Sequence, residues 1–202
     1  MPDVLVPRAR IRPWLANFEE RHGTTALSVV GGSLHGVADD GSRFDAVPPF
    51  DRSVLEATSE ALELTAQPPV DWGILLVRKG GFAIARLEGD MIVDSKVGQR
   101  HVQGRTKAGG QSQQRFARRR DNQARAAYEA AADHAARIVP AVPLLVIGGD
   151  RAAVTAVLKG PRLRGLAANV RGPFLTVPDP RRGVLDGAVQ DACSVRIDVT
   201  NG

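Results

Sequence analysis

The sequence predicts a mixed α/β fold, an antiparallel three-strand meander with flanking helices, and three observations carry that reading. Ile74–Arg78, Phe82–Glu88 and Met91–about Ser95 are strand-length runs separated by short turns at Lys79-Gly80 and Gly89-Asp90, and turns this short force antiparallel neighbours. From about Ser112 to Val139, apolar residues recur at 116, 124, 127, 131, 135 and 138, one stripe of an amphipathic helix. Leu144–Ile147 is short and wholly apolar, as a buried strand with a parallel neighbour would be.

Taken in order, the elements begin with a helix over Pro13–His22. Pro13 stands in its first turn, Gly23 stops it, and Trp14, Leu15 and Phe18 form its apolar side. Ala26–Val30, Leu34–Ala38 and Arg43–Ala46 read as strands, with a hairpin turn at Asp39-Asp40-Gly41. Ser53 is expected to cap a helix running to about Leu64, with Glu56 three residues on completing a capping box. The meander follows, then a polar loop over Gln99–Gln111 carrying Gly104, Gly109 and Gly110, then the long helix. Beyond Leu144–Ile147, Asp150 caps a helix to about Leu158, a second helical stretch runs near Leu163–Asn169, Phe174–Val177 is a strand, and Gly183–Ala192 a last helix.

Three antiparallel strands followed by helix, strand, helix and strand are the outline of a ribonuclease H-like domain. On this reading residues 71–202 form the main domain. Residues 1–70 form an N-terminal extension of short helix, hairpin and helix, either continuous with the main sheet or standing apart from it, with proline-rich joints at Val47-Pro48-Pro49 and Gln67-Pro68-Pro69. The chain's 202 residues, 43% hydrophobic and 24% charged, sit in the globular range. The longest apolar stretch, Ile138–Ile147, is interrupted by Pro140 and Pro143 and falls short of a membrane span. Met1–Arg12 lacks the apolar core of a signal peptide. A lone cysteine, Cys193, closes no internal disulfide and builds no zinc cage. A cytoplasmic protein with no membrane partner is expected.

The charge is concentrated. The chain has 27 Lys and Arg against 22 Asp and Glu, yet between Lys96 and Arg125 nine basic residues face one acid, Asp121. That stretch is +8 and the rest of the chain −3. Only four of the 27 basic residues are lysines, so the patch is mostly arginine, the side chain that grips phosphates bidentately and stacks on bases. Such a field suits a polyphosphate partner; a solvated helix face is the alternative reading. The candidate RNA contacts are Arg105, Lys107, Arg115, Arg118, Arg119 and Arg125. Arg120 falls near the apolar stripe through Phe116 and Ala124 and is expected to snorkel or pair.

Gly109-Gly110-Gln111 stands where the basic loop meets the basic helix. Residues 103–120 read Gln-Gly-Arg-Thr-Lys-Ala-Gly-Gly-Gln-Ser-Gln-Gln-Arg-Phe-Ala-Arg-Arg-Arg. This resembles the catalytic loop and following helix in the central domain of eukaryotic and archaeal translation termination factors, where Gly-Gly-Gln-Ser precedes an Arg-Phe-Ala-Arg helix start. Ser112 and Arg115-Phe116-Ala117-Arg118 match here, and the resemblance extends loosely over about residues 72–190. Within that superfamily a chain of this length is similar to the compact bacterial members of the Vms-like release factors of ribosome-associated quality control. About 70 residues outside the catalytic domain leave little room for both a codon-reading and a partner-binding domain. The resemblance implies hydrolysis of peptidyl-tRNA on a stalled ribosome or large subunit without stop-codon reading. It also implies ribosomal RNA as partner, a monomer off the ribosome, and no cofactor. Eukaryotic Vms-like members commonly carry Gly-Ser-Gln, so the choice between ester hydrolysis and cutting of the tRNA strand stays open.

The residues make chemical sense for ester hydrolysis. Paired glycines, Gly109 and Gly110, permit positive φ and close backbone approach in a crowded centre. Gln111 offers donor and acceptor on one neutral amide, so it positions water without first losing a proton, and its backbone N–H can face a developing oxyanion. No metal is required. A metal-dependent nuclease would need acids clustered at strand ends, whereas the first meander strand has none and Asp71, Glu88, Asp90 and Asp94 read as turn and edge residues. His101 is a candidate base or RNA contact, or a plain strand-end histidine; His22, His35 and His134 show no metal spacing. Gly148-Gly149-Asp150 has the look of a phosphate turn but reads as an ordinary strand-to-helix turn. A non-catalytic RNA-binding adaptor would use the same arginines.

Overall fold

The structure, a computed structural model, describes the backbone of residues 4–99 and 111–202 and the side chains of 4–99 and 124–202. The chain divides into two compact units: Met1–Pro68 together with Val189–Gly202, and Pro69–Ala188.

The first unit is a five-stranded antiparallel sheet covered by two helices. Its elements are β1 (Val4–Val6), α1 (Ile11–His22), β2 (Thr25–Val30), β3 (Ser33–Ala38), β4 (Arg43–Val47), α2 (Ser59–Thr65) and β9 (Val195–Thr200), in the sheet order β1-β9-β4-β3-β2. α1 begins two residues before Pro13, which stays in the first turn where a missing N–H costs nothing. Gly23 ends it at φ 93°, donating its N–H to Glu19 O, the left-handed position that glycine fills without a Cβ clash. Ile11, Phe18, Leu34, Phe44, Leu62, Val195 and Ile197 make the core.

Two expectations are corrected here. Ser53 starts no helix: Val54 donates its N–H to Gly32 O and is itself buried, so tertiary contacts hold this stretch extended. The helix starts at Ser59 instead, where Thr58 accepts the N–H of Ala61. Thr58→Ala should therefore lower unfolding free energy by about 1 kcal/mol in urea denaturation, while Ser53→Ala stays within about 0.5 kcal/mol. The second correction concerns the C-terminal stretch, expected to continue the main domain. β9 instead pairs antiparallel with β1 and β4, closing the first unit's sheet. Val195 and Ile197 point into that core while Arg196 and Asp198 are exposed, a period-2 pattern that suits a half-buried strand.

The second unit is a four-stranded mixed sheet in the order β7-β6-β5-β8. β5 (Trp72–Arg78), β6 (Gly81–Glu88) and β7 (Met91–Gln99) form the expected meander, and β8 (Leu145–Gly149) runs parallel to β5. α3 (Gln111–Ile138) and α4 (Arg151–Leu158) pack on the face carrying Leu75, Val77, Phe82 and Ile84. α5 (Arg164–Ala167) is a single turn after a 3-10 segment, and α6 (Arg182–Ala192), the last helix, begins in the second unit and ends in residues of the first. Phe174–Val177, expected as a strand, makes only an isolated parallel bridge, Gly148↔Leu175. Pro173 and Pro178 flank it, and neither can donate to a ladder.

Candidate functional site

β7 is an edge strand, and its ladder with β6 runs out to Gly81↔Gln99. α3 opens at Gln111. The chain between these ends, residues 100–110, lies outside the described residues; β7 and the part of α3 from Ala127 onward are fixed by packing. α3 turns Ala127, Ala131, Ala135 and Ile138 inward, all buried, and the last three join the core built by β5 and β6. Alanine at three of these four positions lets the helix lie close to the sheet.

The β7 anchor depends on a missing side chain. Gly98 sits opposite Phe82, and a Cβ there would fall 2.5 Å from the Phe82 ring. Phe82 has nowhere to go, because it is buried and its ring meets that of His134 on α3 at 5.6 Å. Gly98→Ala should destabilise the protein by about 1–3 kcal/mol through overpacking. Phe82→Leu in that background should recover part of the deficit in thermal melts, the signature of a coupled pair.

The expected site residues are placed as follows. Gly109, Gly110, Arg105, Lys107 and His101 fall outside the described residues. Gln111 is the first residue of α3, and Arg115, Arg118 and Arg119 follow in its first turns. An α-helix leaves its first N–H groups without intrahelical partners and gathers positive potential at that end, and Gln111 stands at that end of α3. Arg125 is exposed on α3. Lys96 is exposed on β7 and pairs in register with Ile84, on the sheet face that α3 covers. The strand and the helix thus bring basic residues to one side of the sheet. Lys96 and Gly98 are the positions that the expected site lacks. A glycine late in a strand pattern is their sequence signal, and the strand reaches four residues past the end expected near Ser95.

The neighbouring turn is ordinary, as read from the sequence. Asp150 accepts the N–H groups of Ala152 and Ala153 at 2.9 and 3.1 Å, filling the start of α4. Gly149 donates to Leu175 O and Asp150 to Val77 O, closing the turn on the chain itself. Burial, with the Asp150 charge second, pushes the Tyr128 phenol up. Asp71 is engaged by Arg86 at 2.9 and 3.2 Å. Among the described residues no group of three or more His, Cys, Asp or Glu is placed to hold a metal ion, and no helix is long and apolar enough to cross a membrane.

The family model of the Actinobacteria/Chloroflexi VLRF1 release factor, acVLRF1, matches residues 70–198, which includes β7, the whole of α3 and the segment between them. The chain belongs to this release-factor family. Among solved structures it is similar to an archaeal translation termination factor, aRF1, with 12% identity and a TM-score of 0.42, over 94% of this chain and 63% of that one. The chain therefore spans less than two thirds of that structure. No curated protein matches it in sequence.

Proposed function

We propose that this chain is a Vms-like peptidyl-tRNA hydrolase that frees stalled nascent chains on the ribosome or large subunit, with Gly109-Gly110-Gln111 as its catalytic segment. The observation that carries the reading is positional: within a release-factor family match, the tripeptide ends on the first residue of α3. In this reading the Gln111 amide holds a water against the ester carbonyl, and its backbone N–H faces the oxyanion that forms. The water oxygen bonds to the carbonyl carbon, the ester C–O bond breaks, and the tRNA 3′ oxygen leaves with a proton. Arg105, Lys107, Arg115, Arg118, Arg119 and Arg125 hold ribosomal RNA through phosphates. The proposal includes a ribonuclease H-like second unit, no metal, no stop-codon reading and a cytoplasmic monomer off the ribosome.

Its test is conversion of tRNA-labelled peptidyl-tRNA on isolated large subunits, followed on a gel. Full-length deacylated tRNA is the expected product, formed with no stop codon present. Intact peptidyl-tRNA after long incubation with bound protein would make the chain an adaptor, and a shortened tRNA would make it a nuclease.

A further inference from the structure

The first unit carries a groove of its own, about 550 Å³, and none of the described residues lining it is acidic. One wall is a stripe of α1 at helical spacing: Trp14, Asn17, Phe18, Arg21 and His22. The other comes from the β1 and β9 side, with Asn201 at its end. Trp14 is half-buried and its plane is fixed from two directions: it stacks on Phe18 at 5.6 Å and 15°, and meets Phe44 edge-on at 5.3 Å. Asn17 and Arg21 are exposed, and among the described residues neither side chain has a hydrogen-bond or ion-pair partner. His22 is held by Asp40, Nδ1 to Oδ2 at 2.9 Å. That contact, then the Ser42 N–H, keeps the Asp40 carboxyl below its usual range. An ionised Asp40 carboxylate can only accept, so it takes the hydrogen bond from the imidazole Nδ1.

We infer that this groove binds one unpaired nucleotide of an RNA strand, its base against Trp14 and its phosphate on Arg21. A pre-oriented indole offers a sequence-tolerant stacking surface. A primary amide supplies the donor and acceptor that a base edge needs. A guanidinium without an internal partner is suited to a phosphate. The volume lies in the range of small-ligand sites, and the exposed Asn17 and Arg21 leave the groove open for a strand to continue past it. The inference concerns the first unit and does not rest on the chemistry proposed for Gln111.

Trp14 makes the site directly readable. The other tryptophan, Trp72, is fully buried with its Nε1 donating to Gly89 O at 2.7 Å, so emission changes on ligand addition report on Trp14. Titrating the full chain with a single-stranded adenosine octamer should quench Trp14 saturably. The double variant Asn17→Ala, Arg21→Gln changes two exposed helix positions, should melt as the wild type does, and should bind about tenfold or more weakly by the same signal. Gln111→Ala should leave the quench unchanged. Adenosine monophosphate should bind more weakly than the octamer, and a duplex of equal length should leave Trp14 unquenched. Monophosphate binding as tight as the octamer would overturn an RNA strand as the ligand and leave a free nucleotide. No quench with any RNA, an equal quench by the duplex, or an unchanged titration in the double variant would overturn the site.

Discussion

Gln111→Ala should slow single-turnover peptide release by about 10²–10³, equivalent to about 2.7–4 kcal/mol of barrier, with large-subunit affinity unchanged. The size follows from what the substitution removes. Alanine keeps the backbone N–H at the start of α3, and with it one hydrogen bond to the oxyanion, but it deletes the amide that orients water. A residual rate above the uncatalysed one should therefore remain. The fold should not be affected, because alanine is a good helix former and the packing that anchors α3 lies at Ala127, Ala131, Ala135 and Ile138. A variant with wild-type melting, wild-type binding and wild-type release would remove Gln111 from the chemistry.

The second large effect is on binding. Replacing Arg115, Arg118 and Arg119 by Gln should flatten the logarithmic salt dependence of subunit affinity by about 0.7–0.9 for each phosphate that is no longer neutralised. For three phosphates this amounts to roughly 20–40-fold less salt sensitivity over a fourfold change in salt. Surface substitutions on a helix ordinarily cost within about 0.5 kcal/mol each, so the melting curve should move little. Equal slopes for variant and wild type would make these arginines a solvated helix face. Lys96, which β7 places on the sheet face under α3, supplies an independent check: Lys96→Gln should lower the slope by the share of about one phosphate if the strand joins the same RNA surface.

The parts of this fold legible in the sequence are those set by local chemistry. Lys79-Gly80 and Gly89-Asp90 admit little but tight hairpins, and Asp150 caps α4 where its carboxylate reaches two N–H groups. The alanine-rich stripe of α3 shows its buried side through spacing alone. What failed depended on partners distant in sequence. Ser53 has a good capping pattern, but burial of Val54 claims that backbone first. Phe174–Val177 has strand composition, yet flanking prolines reduce it to one bridge. β9 alternates cleanly, Val195, Ile197 and Val199 against Arg196, Asp198 and Thr200, but nothing local tells it to pair with β1 and β4. The candidate site shows the same division. Its tripeptide and its charge are local and readable, whereas the fit of Gly98 under Phe82 exists only once two strands are aligned.

The most direct measurement of the central claim is the mass of the freed peptide when release is run in ¹⁸O-labelled water. Hydrolysis at the ester predicts a free peptide carrying one ¹⁸O at its carboxyl terminus, formed by wild-type protein and about 10²–10³ more slowly by Gln111→Ala. A peptide that leaves still attached to a nucleotide, or one without the label, would contradict it.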